Sequence, residues 1–227
     1  MKRLYPLFFD PVYKDYIWGG DQIIKTFQRV EPLGRYAESW EVSDRSDGMS
    51  LISNGPLKGK SLHFLVKNYR KEMFGKSKSY ERFPLLIKLI DANKNLSIQV
   101  HPDDETAKLY GGEAKTEAWH ILKSDPNAAI FAGFIKQFDK KEIKQALPTE
   151  KIVSMMQKIP AQSGDTIFIP GGRLHAIGKG SLLLEVQQNS NTTYRIYDWD
   201  RVNDKTGPRA LHLEEASKVI IWDDTKN

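Results

Sequence analysis

The sequence predicts a mainly β protein, a sandwich or barrel of short strands that carries small helical insertions. Short apolar or alternating runs recur along the chain and are bounded by turn residues, which is typical of strands in an all-β domain. Helical patterns between residues 61 and 157 interrupt these strands, so they are expected to be insertions on the barrel. The chain contains no internal repeat and no low-complexity segment that would indicate another architecture.

The first half of the chain alternates predicted strands with short helices. The apolar run at 84–90 predicts a buried strand, and residues 96–101 alternate as a half-buried strand does. Pro102 and the acids after it begin a helix, because acids in a first turn complement the helix dipole. The predicted strands are 5–9, 37–42, 50–52, 84–90 and 96–101, and the predicted helices are 22–27, 61–69, 71–75 and 102–110.

The second half continues with strands around two further helices. Asp139 is the predicted cap of the first of these helices. Residues 213–221 fit either a helix or a strand. The predicted strands are 117–122, 129–134, 167–169, 182–187 and 193–197, and the predicted helices are 139–147 and 149–157.

Composition narrows the class of protein. At 227 residues the chain is long enough for a sizeable core. Its 34 basic and 29 acidic residues are interspersed, so the formal charge of +5 predicts a solvated surface or an anionic small-molecule partner, and no nucleic acid. The chain has no cysteine, no apolar run near the ~20 residues that span a bilayer, and no export signal. A cytoplasmic protein without a membrane partner is therefore expected.

The strand at 96–101 organises the predicted site. Alternation places Ser97, Gln99 and His101 on one face and Ile98 and Val100 on the other. Glutamine and histidine two residues apart on a strand can both reach one metal ion. An edge strand with polar residues facing solvent would show the same pattern.

Two later segments favour the metal site. The strand-like run at 117–122 carries Glu117, and a tight Pro-Gly-Gly turn at 170–172 aims His175 back towards the preceding strand. Together with Gln99 and His101, these residues form a nitrogen and oxygen ligand set suited to zinc or another borderline divalent metal. His120 is a rival ligand, but alternation from Glu117 points it to the opposite face.

Several motifs resemble those of known families. Gly164, Pro170, Gly172 and His175 are similar to the second signature of the cupin superfamily, whose fold is a small jelly roll. Residues 97–104, 115–119 and 169–176 together resemble the type I mannose-6-phosphate isomerase family, as do residues 16–20 and 38–43. The similarity extends from about residue 5 to about residue 220.

This resemblance implies a fold, a cofactor and an activity. It implies a single cupin-type catalytic domain over residues 1–227, with helical insertions around 61–75 and 139–157, and without the second C-terminal β-domain of longer relatives. It also implies one Zn²⁺ per chain, although other divalent metals are possible. The implied reaction interconverts mannose 6-phosphate and fructose 6-phosphate through an enediol intermediate. The implied metal ligands are Gln99, His101, Glu117 and His175.

The same resemblance assigns further site residues. Arg195 matches the active-site arginine and is expected to stabilise negative charge, because a guanidinium is a poor base. Glu185 matches an acid of the same cavity. The base remains open between Glu185, Lys115 and a metal-bound water. A structural ion pair between Glu185 and Arg195 is the alternative.

The substrate contacts are expected on neighbouring strands. Ser97 and Lys88 match the family's phosphate contacts, and Lys88 lies in an apolar strand where an ammonium group needs an anion. Pairing of Lys88 with an acid such as Asp91 or Glu41 is the alternative. Trp18 is expected to wall the sugar pocket, unless it is an ordinary core residue.

Two broader alternatives remain at this point. The chain could be a non-catalytic cupin module that binds a sugar or a sugar phosphate. A metal-dependent cupin oxygenase is disfavoured, because Gln99, His101 and Arg195 suit polyol chemistry better. The apolar residues near the C-terminus, at 211–222, predict a homodimer or a segment folded back on the sheet.

Overall fold

The computed structural model describes residues 4–29, 34–76, 80–203 and 207–225, so the two ends of the predicted 1–227 domain lie outside the described residues. Short strands dominate, and the prediction of a mainly β fold is confirmed. In the described part of the chain the strands are β1 Phe9–Asp10, β2 Val12–Lys14, β3 Glu38–Val42, β4 Leu51–Ile52, β5 Leu85–Ala92, β6 Ile98–Val100, β7 Glu117–Ser124, β8 Ala129–Phe134, β9 Met156–Pro160, β10 Thr166–Ile169, β11 His175–Ile177, β12 Ser181–Gln188, β13 Tyr194–Tyr197, β14 Val202–Asn203 and β15 Gly207–Pro208.

The helices are short and most follow recognisable start signals. Ser61 caps one helix by accepting a hydrogen bond from the Phe64 amide, and Asp103 and Thr106 form a capping box at the start of another. The helices are α1 Gln22–Thr26, α2 Leu62–Asn68, α3 Arg70–Phe74, α4 Asp104–Tyr110, α5 Lys140–Ala146, α6 Lys151–Met155 and α7 Leu213–Val219. None of those within the described residues is long and apolar enough to cross a membrane.

Two antiparallel sheets face each other around a shared core. The six-stranded sheet has the order β10-β7-β12-β5-β3-β2, and the five-stranded sheet has the order β13-β6-β11-β8-β9. Trp119 and Leu183 of the first sheet share one buried cluster with Ile130 and Ile177 of the second. Each strand therefore presents alternate side chains to the space between the sheets.

The outer face of the five-stranded sheet is covered by helices. Ile98 and Val100 of β6 lie in a second buried cluster, together with Ile143 of α5 and Ile152 of α6. Since successive strand residues point to opposite faces, Gln99 between them points into the barrel. This packing explains why the polar face of β6 is turned inward and its apolar face is turned towards the helices.

The segment predicted as a helix over 149–157 differs from the structure. The helix ends at Met155, and residues 156–160 form β9, which pairs with β8. Met156 is buried, so strand pairing and burial outweigh the local helical pattern here. The ambiguous segment near the C-terminus forms α7, and its Ala216 and Val219 pack on the barrel in the same cluster as the helices above. Folding back on the sheet, one of the two predicted outcomes, is thus observed, and the homodimer stays a prediction.

Candidate metal centre and substrate cavity

Strand register brings the predicted ligands together. Gln99 of β6 lies directly opposite His175 of β11, and Glu117 begins β7 in the facing sheet. A 2.7 Å hydrogen bond from the Gly172 amide to the His101 carbonyl connects the turn before His175 to the end of β6. Gly172 has a φ of +86°, and a Cβ there would lie 2.8 Å from Ile221. This turn therefore requires glycine, and it directs His175 into the barrel.

Three ligand side chains form a tight buried cluster. His101, Glu117 and His175 are each no more than 1% exposed, and one ligand atom from each lies within 4.8 Å of the others. His175 Nε2 is 3.1 Å from Glu117 Oε1, and His101 Nε2 is 3.4 Å from the same oxygen. A tetrahedral ion with bonds of about 2.0–2.1 Å would separate its ligand atoms by about 3.3–3.4 Å. The spacing of the cluster fits such an ion.

The protonation states also suit a cation. The Nδ1 atom of His175 donates to the Arg173 carbonyl at 2.9 Å, which leaves Nε2 as the nitrogen with a free lone pair. Burial and the neighbouring Lys115 ammonium lower the pKa of His101 to about 3, so this ring is neutral near pH 7. Burial opposes ionisation of Glu117, but the Lys115 ammonium holds its pKa well below the usual value. The cluster therefore offers the neutral His101 ring, the Nε2 atom of His175 and a carboxylate.

Polar atoms of the cluster lack ordinary partners. Neither carboxylate oxygen of Glu117 makes a hydrogen bond within the described part of the chain. The ammonium of Lys115 lies 3.2 Å from Glu117 Oε2 and 3.1 Å from His101 Nε2. A buried carboxylate needs a positive charge beside it, and a bound metal ion would supply such a charge here.

Gln99 completes the set at the barrel interior. Its Nε2 atom lies 3.3 Å from His175 Nε2, and its Oε1 atom accepts a 3.2 Å hydrogen bond from the Ser97 hydroxyl. Rotation by 180° about the last side-chain bond exchanges the amide oxygen and nitrogen, so the oxygen can face the histidine cluster. Ser97 therefore contacts a candidate ligand directly.

A cavity of about 250 Å³ opens beside this cluster. Gln99 and Lys115 line it, which connects the candidate metal centre to the space in which a small molecule could bind. The predicted residues Trp18, Lys88, Ser97, Glu185 and Arg195 line the same cavity, as do Tyr16, Glu38, Asn191, Thr193 and Arg209.

One wall of the cavity is a buried ion cluster on the six-stranded sheet. Register places Lys88 directly opposite Glu185, and their charged atoms are 2.9 Å apart. Lys88 Nζ is also 3.3 Å from Glu38 Oε2. The indole N–H groups of Trp119 and Trp40 donate to Glu185 and Glu38 at 2.9 and 2.7 Å. Two buried carboxylates thus share one ammonium group.

Comparison with known proteins identifies the family. The model of the phosphomannose isomerase type I catalytic domain matches residues 7–150, more than half of the chain. The chain belongs to the type I phosphomannose isomerase family. A probable mannose-6-phosphate isomerase of Bacillus subtilis is 43% identical over 218 residues, which are 95% of this chain and 68% of the relative. A mannose-6-phosphate isomerase of Streptococcus mutans is 42% identical over 216 residues, which are 95% of this chain and 67% of that protein.

A solved structure agrees with this assignment. The crystal structure of mannose 6-phosphate isomerase from Bacillus subtilis superposes with a TM-score of 0.87 at 38% sequence identity. The match covers 96% of this chain and 69% of the crystallised chain. The predictions of the type I family, of an enzyme and of the cupin fold are confirmed.

The structure rules out two alternative pairings in the site. In place of Arg195, the partners of Glu185 are Lys88 and Trp119. Lys88 pairs with Glu185 and Glu38, and with neither Asp91 nor Glu41. Those acids instead accept hydrogen bonds from the Gln22 amide and from Arg29 respectively. Asp91 lies three residues after Lys88 on β5 and so points to the opposite face, and Arg195 lies on β13 of the other sheet.

The remaining histidines lie apart from the candidate ligands. His120 is exposed and contacts Thr166 Oγ1, as expected from the alternation of β7. His63 contacts the carboxylate of Asp44 at 3.1 Å. His212 accepts a hydrogen bond from the Arg195 amide at 3.0 Å, so it supports the backbone beside the cavity.

Sequence reasoning missed two charged residues of the cavity. Glu38 lies in a motif that carried the family resemblance, and its position two residues before the buried Trp40 was an available signal. Arg209 had no comparable signal. It follows the β14–β15 hairpin and reaches the cavity only because that hairpin returns the chain towards β13.

Proposed function

We propose that this chain interconverts mannose 6-phosphate and fructose 6-phosphate and that it does so with one Zn²⁺ ion. The observation that carries this proposal is the buried His101, Glu117 and His175 cluster beside a cavity rich in fixed charges. Nitrogen and carboxylate ligands without thiolates favour zinc or a similar divalent metal. A bound metal would act as a Lewis acid that polarises the carbonyl and hydroxyl oxygens of the sugar.

Isomerisation of an aldose moves a proton from C2 to C1 through an enediol, and the hydroxyl proton on O2 passes to O1. The step needs a base that returns the proton it takes. Burial and the charge of Glu117 raise the pKa of Glu185, although Lys88 opposes this shift. Glu185 lines the cavity and is held in place by Lys88 and the Trp119 indole, so it is our candidate for this proton transfer.

Lys115 and Lys88 have supporting roles in this scheme. The Lys115 ammonium borders both the cluster and the cavity, where it can stabilise negative charge on a substrate oxygen. Burial would lower the pKa of Lys88, but Glu185 and Glu38 raise it above the usual lysine value. Lys88 is therefore a permanent cation that orients Glu185.

The charge distribution favours a phosphate site between Arg195 and Arg209, at what we call the arginine end of the cavity. Lys88 is shared between two carboxylates, so this predicted phosphate contact is already engaged. Arg195 Nε is buried and has no hydrogen-bond partner among the described residues. Burial and the adjacent Arg209 both lower the pKa of Arg195. An anion between these two arginines would relieve their repulsion and use the free donor.

Arg195 also lies beside the candidate metal centre. It is directly opposite Gln99 across the β13–β6 pair, and directly opposed side chains lie on one face within about 4.5–5.5 Å at Cβ. Arg195 can therefore bind the phosphate and contribute positive potential at the reacting carbons. Trp18 and Tyr16 have their rings 5.7 Å apart on the cavity wall, and they would contact the apolar face of the sugar.

A coupled assay tests this proposal. Protein is loaded with Zn²⁺, assayed with mannose 6-phosphate, stripped with a chelator, and reloaded, while its metal content is measured at each stage. We expect turnover with about one metal per chain, loss of turnover on chelation, and recovery on reloading. A folded, metal-loaded protein that binds mannose 6-phosphate by calorimetry without converting it would contradict the proposal. That result would support the non-catalytic binding module instead.

A further inference from the structure

Asp198 is a buried acid that does not line the cavity but holds a residue that does. It follows β13 directly and is 7% exposed. Arg209 donates to both of its carboxylate oxygens, through Nη2 to Oδ1 and through Nε to Oδ2 at 2.8 Å. Arg201 Nη2 also donates to Oδ1. A guanidinium bound by both of its edge donors to one carboxylate has a fixed orientation.

The backbone around Asp198 is held in an unusual conformation. Trp199 and Asp200 have φ angles of +58° and +51°, in the left-handed region that side-chain-bearing residues seldom adopt. The indole of Trp199 donates to the Leu96 carbonyl at 2.7 Å, and the Tyr197 hydroxyl donates to Asp200 at 2.8 Å. The Trp199 contact anchors the strained turn and fixes where the Asp198 carboxylate lies. The Tyr197 contact survives Asp200→Asn, because an amide oxygen also accepts a hydrogen bond.

Arg201 connects the same turn to the segment that leads into β6, the strand that contains Gln99. Its Nη1 atom donates to the Asn95 carbonyl at 2.6 Å, three residues before Ile98, where β6 begins. Arg201 does not line the cavity, so its charge serves Asp198 and the backbone. Burial would raise the pKa of Asp198, but the hydrogen bonds from Arg209 and Arg201 hold it below the usual value. Asp198 is ionised and fully engaged.

The segment after Arg209 is attached to β13 as well. Arg195 Nη1 donates to the Ala210 carbonyl at 2.8 Å, and the His212 amide donates to the Arg195 carbonyl at 2.7 Å. Backbone contacts therefore fix the position of residues 210–212. The remaining freedom of Arg209 is that of its long side chain, which is 27% exposed, and Asp198 removes it.

We propose that Asp198 is a positioning residue for the substrate phosphate, which it serves by holding the Arg209 guanidinium at the cavity beside Arg195. This inference rests on the proposed function, because it assumes that the anion bound between the two arginines is the phosphate. Asp198 also offsets the repulsion among Arg195, Arg201 and Arg209. Without it, Arg209 would turn towards solvent, and phosphate binding would depend on Arg195 alone.

The test compares Asp198→Asn with the matched control Asp200→Asn. Both changes remove one acid of the same turn, but Asp200 contacts Tyr197 and no arginine among the described contacts. For Asp198→Asn we expect the KM for mannose 6-phosphate and the inhibition constant of inorganic phosphate to rise together, each about tenfold. We expect kcat to change by less than about threefold, and Asp200→Asn to leave both constants unchanged.

Three results would overturn the inference. One is a folded Asp198→Asn protein with unchanged KM and unchanged phosphate inhibition. The others are an equal loss in both variants and a fall in kcat with constant phosphate inhibition, since a purely structural role gives such effects. If Asp198→Asn does not fold, Asp198→Glu moves the carboxylate by one methylene. A smaller rise of the same two constants is then expected, and a folded Glu variant without it contradicts the inference.

The outcome is separable from that of the proposed function. If the metal-loaded wild-type protein does not convert mannose 6-phosphate, the proposed function fails before any variant is made. If it converts the substrate and inorganic phosphate inhibits it, but Asp198→Asn behaves as wild type, only the positioning role fails.

Discussion

The two ends of the cavity are built in different ways. The candidate metal centre takes its ligands from strands in two facing sheets, and all three clustered ligands are at most 1% exposed. The arginine end combines Arg195 of β13 with Arg209, which follows a turn and a hairpin after that strand and has a side chain 27% exposed. Strand register fixes the positions of the candidate metal ligands, whereas hydrogen bonds to Asp198 fix the orientation of Arg209.

This difference indicates a division of tasks. A dry cluster with fixed protonation states suits polarisation of reacting oxygens, because electrostatic interactions are stronger where water is excluded. A partly open pair of arginines suits capture and release of a phosphate, which must enter from solvent. Variants at the first end should therefore act on metal content and turnover, and variants at the second end should act mainly on substrate binding.

The largest effect is expected at the metal centre. His175→Asn removes a ligand that is oriented by the Arg173 carbonyl, and the matched change His120→Asn removes an exposed histidine on β7. Loss of an outer partner of a ligand alone costs about 10–100-fold in metal affinity, so loss of the ligand should cost more. We expect His175→Asn to lose both metal and turnover, measured by metal analysis and the coupled assay.

His120→Asn should retain one metal per chain and normal turnover. Metal retention in purified His175→Asn at the wild-type stoichiometry would contradict the assignment of this ligand. Equal losses in both variants would indicate a general defect in folding, and circular dichroism would detect it.

The second-largest effect is expected at Arg195, which lies between the candidate metal centre and Arg209. Arg195→Ala removes the buried Nε donor and the charge beside Gln99. Loss of one preorganised donor typically costs about 10²–10³ in kcat, so we expect a fall of this size, together with a rise in the KM for mannose 6-phosphate and an unchanged metal content. Arg195→Lys retains the charge but not the planar donors, and should recover part of the loss. Near wild-type turnover in metal-replete Arg195→Ala protein would exclude the arginine from the reaction.

The contrast between the two ends also explains what the sequence could predict. Gln99, Glu117 and His175 were predictable because strand alternation and the Pro-Gly-Gly turn are local signals that fix side-chain direction. Pairings across the sheet were not, since Lys88 meets Glu38 and Glu185 through a register that no local pattern specifies. Most elements were predicted within a few residues, and β9 was missed because pairing with β8 outweighed its helical pattern.

The arginine end was the least predictable part of the site. Arg195 was identified by family resemblance, whereas Arg209 lies 14 positions further along and reaches the cavity through a hairpin. Asp198 and the left-handed turn at Trp199 and Asp200 carry no Gly or Asn that would have indicated such a turn. Tertiary contacts of the indole and the arginines impose this conformation, so only the structure could indicate it.

The smallest effect is expected at Ser97. It distinguishes a residue that supports the metal centre from one that binds the substrate phosphate. The Ser97 hydroxyl lies 3.2 Å from the Gln99 side-chain amide and can hydrogen-bond it in either amide orientation, so Ser97→Ala removes an outer contact of a candidate ligand. Such contacts cost about 10–100-fold in metal affinity when lost, and a weakly bonded one should lie at the lower limit. We expect metal affinity to fall about tenfold in a chelator competition titration. The KM of the metal-saturated protein for mannose 6-phosphate should stay within about twofold of wild type.

A phosphate role for Ser97 predicts the reverse pattern. In that case Ser97→Ala would raise the KM for mannose 6-phosphate and the inhibition constant of inorganic phosphate, while metal affinity stayed constant. Ser181→Ala is the matched control, because this serine is buried like Ser97, at 2% exposed against 3%, but lies outside the cavity lining. It should leave all three quantities unchanged. If Ser97→Ala instead follows the phosphate pattern, the phosphate lies near β6, and the assignment of the arginine end as the phosphate site is wrong.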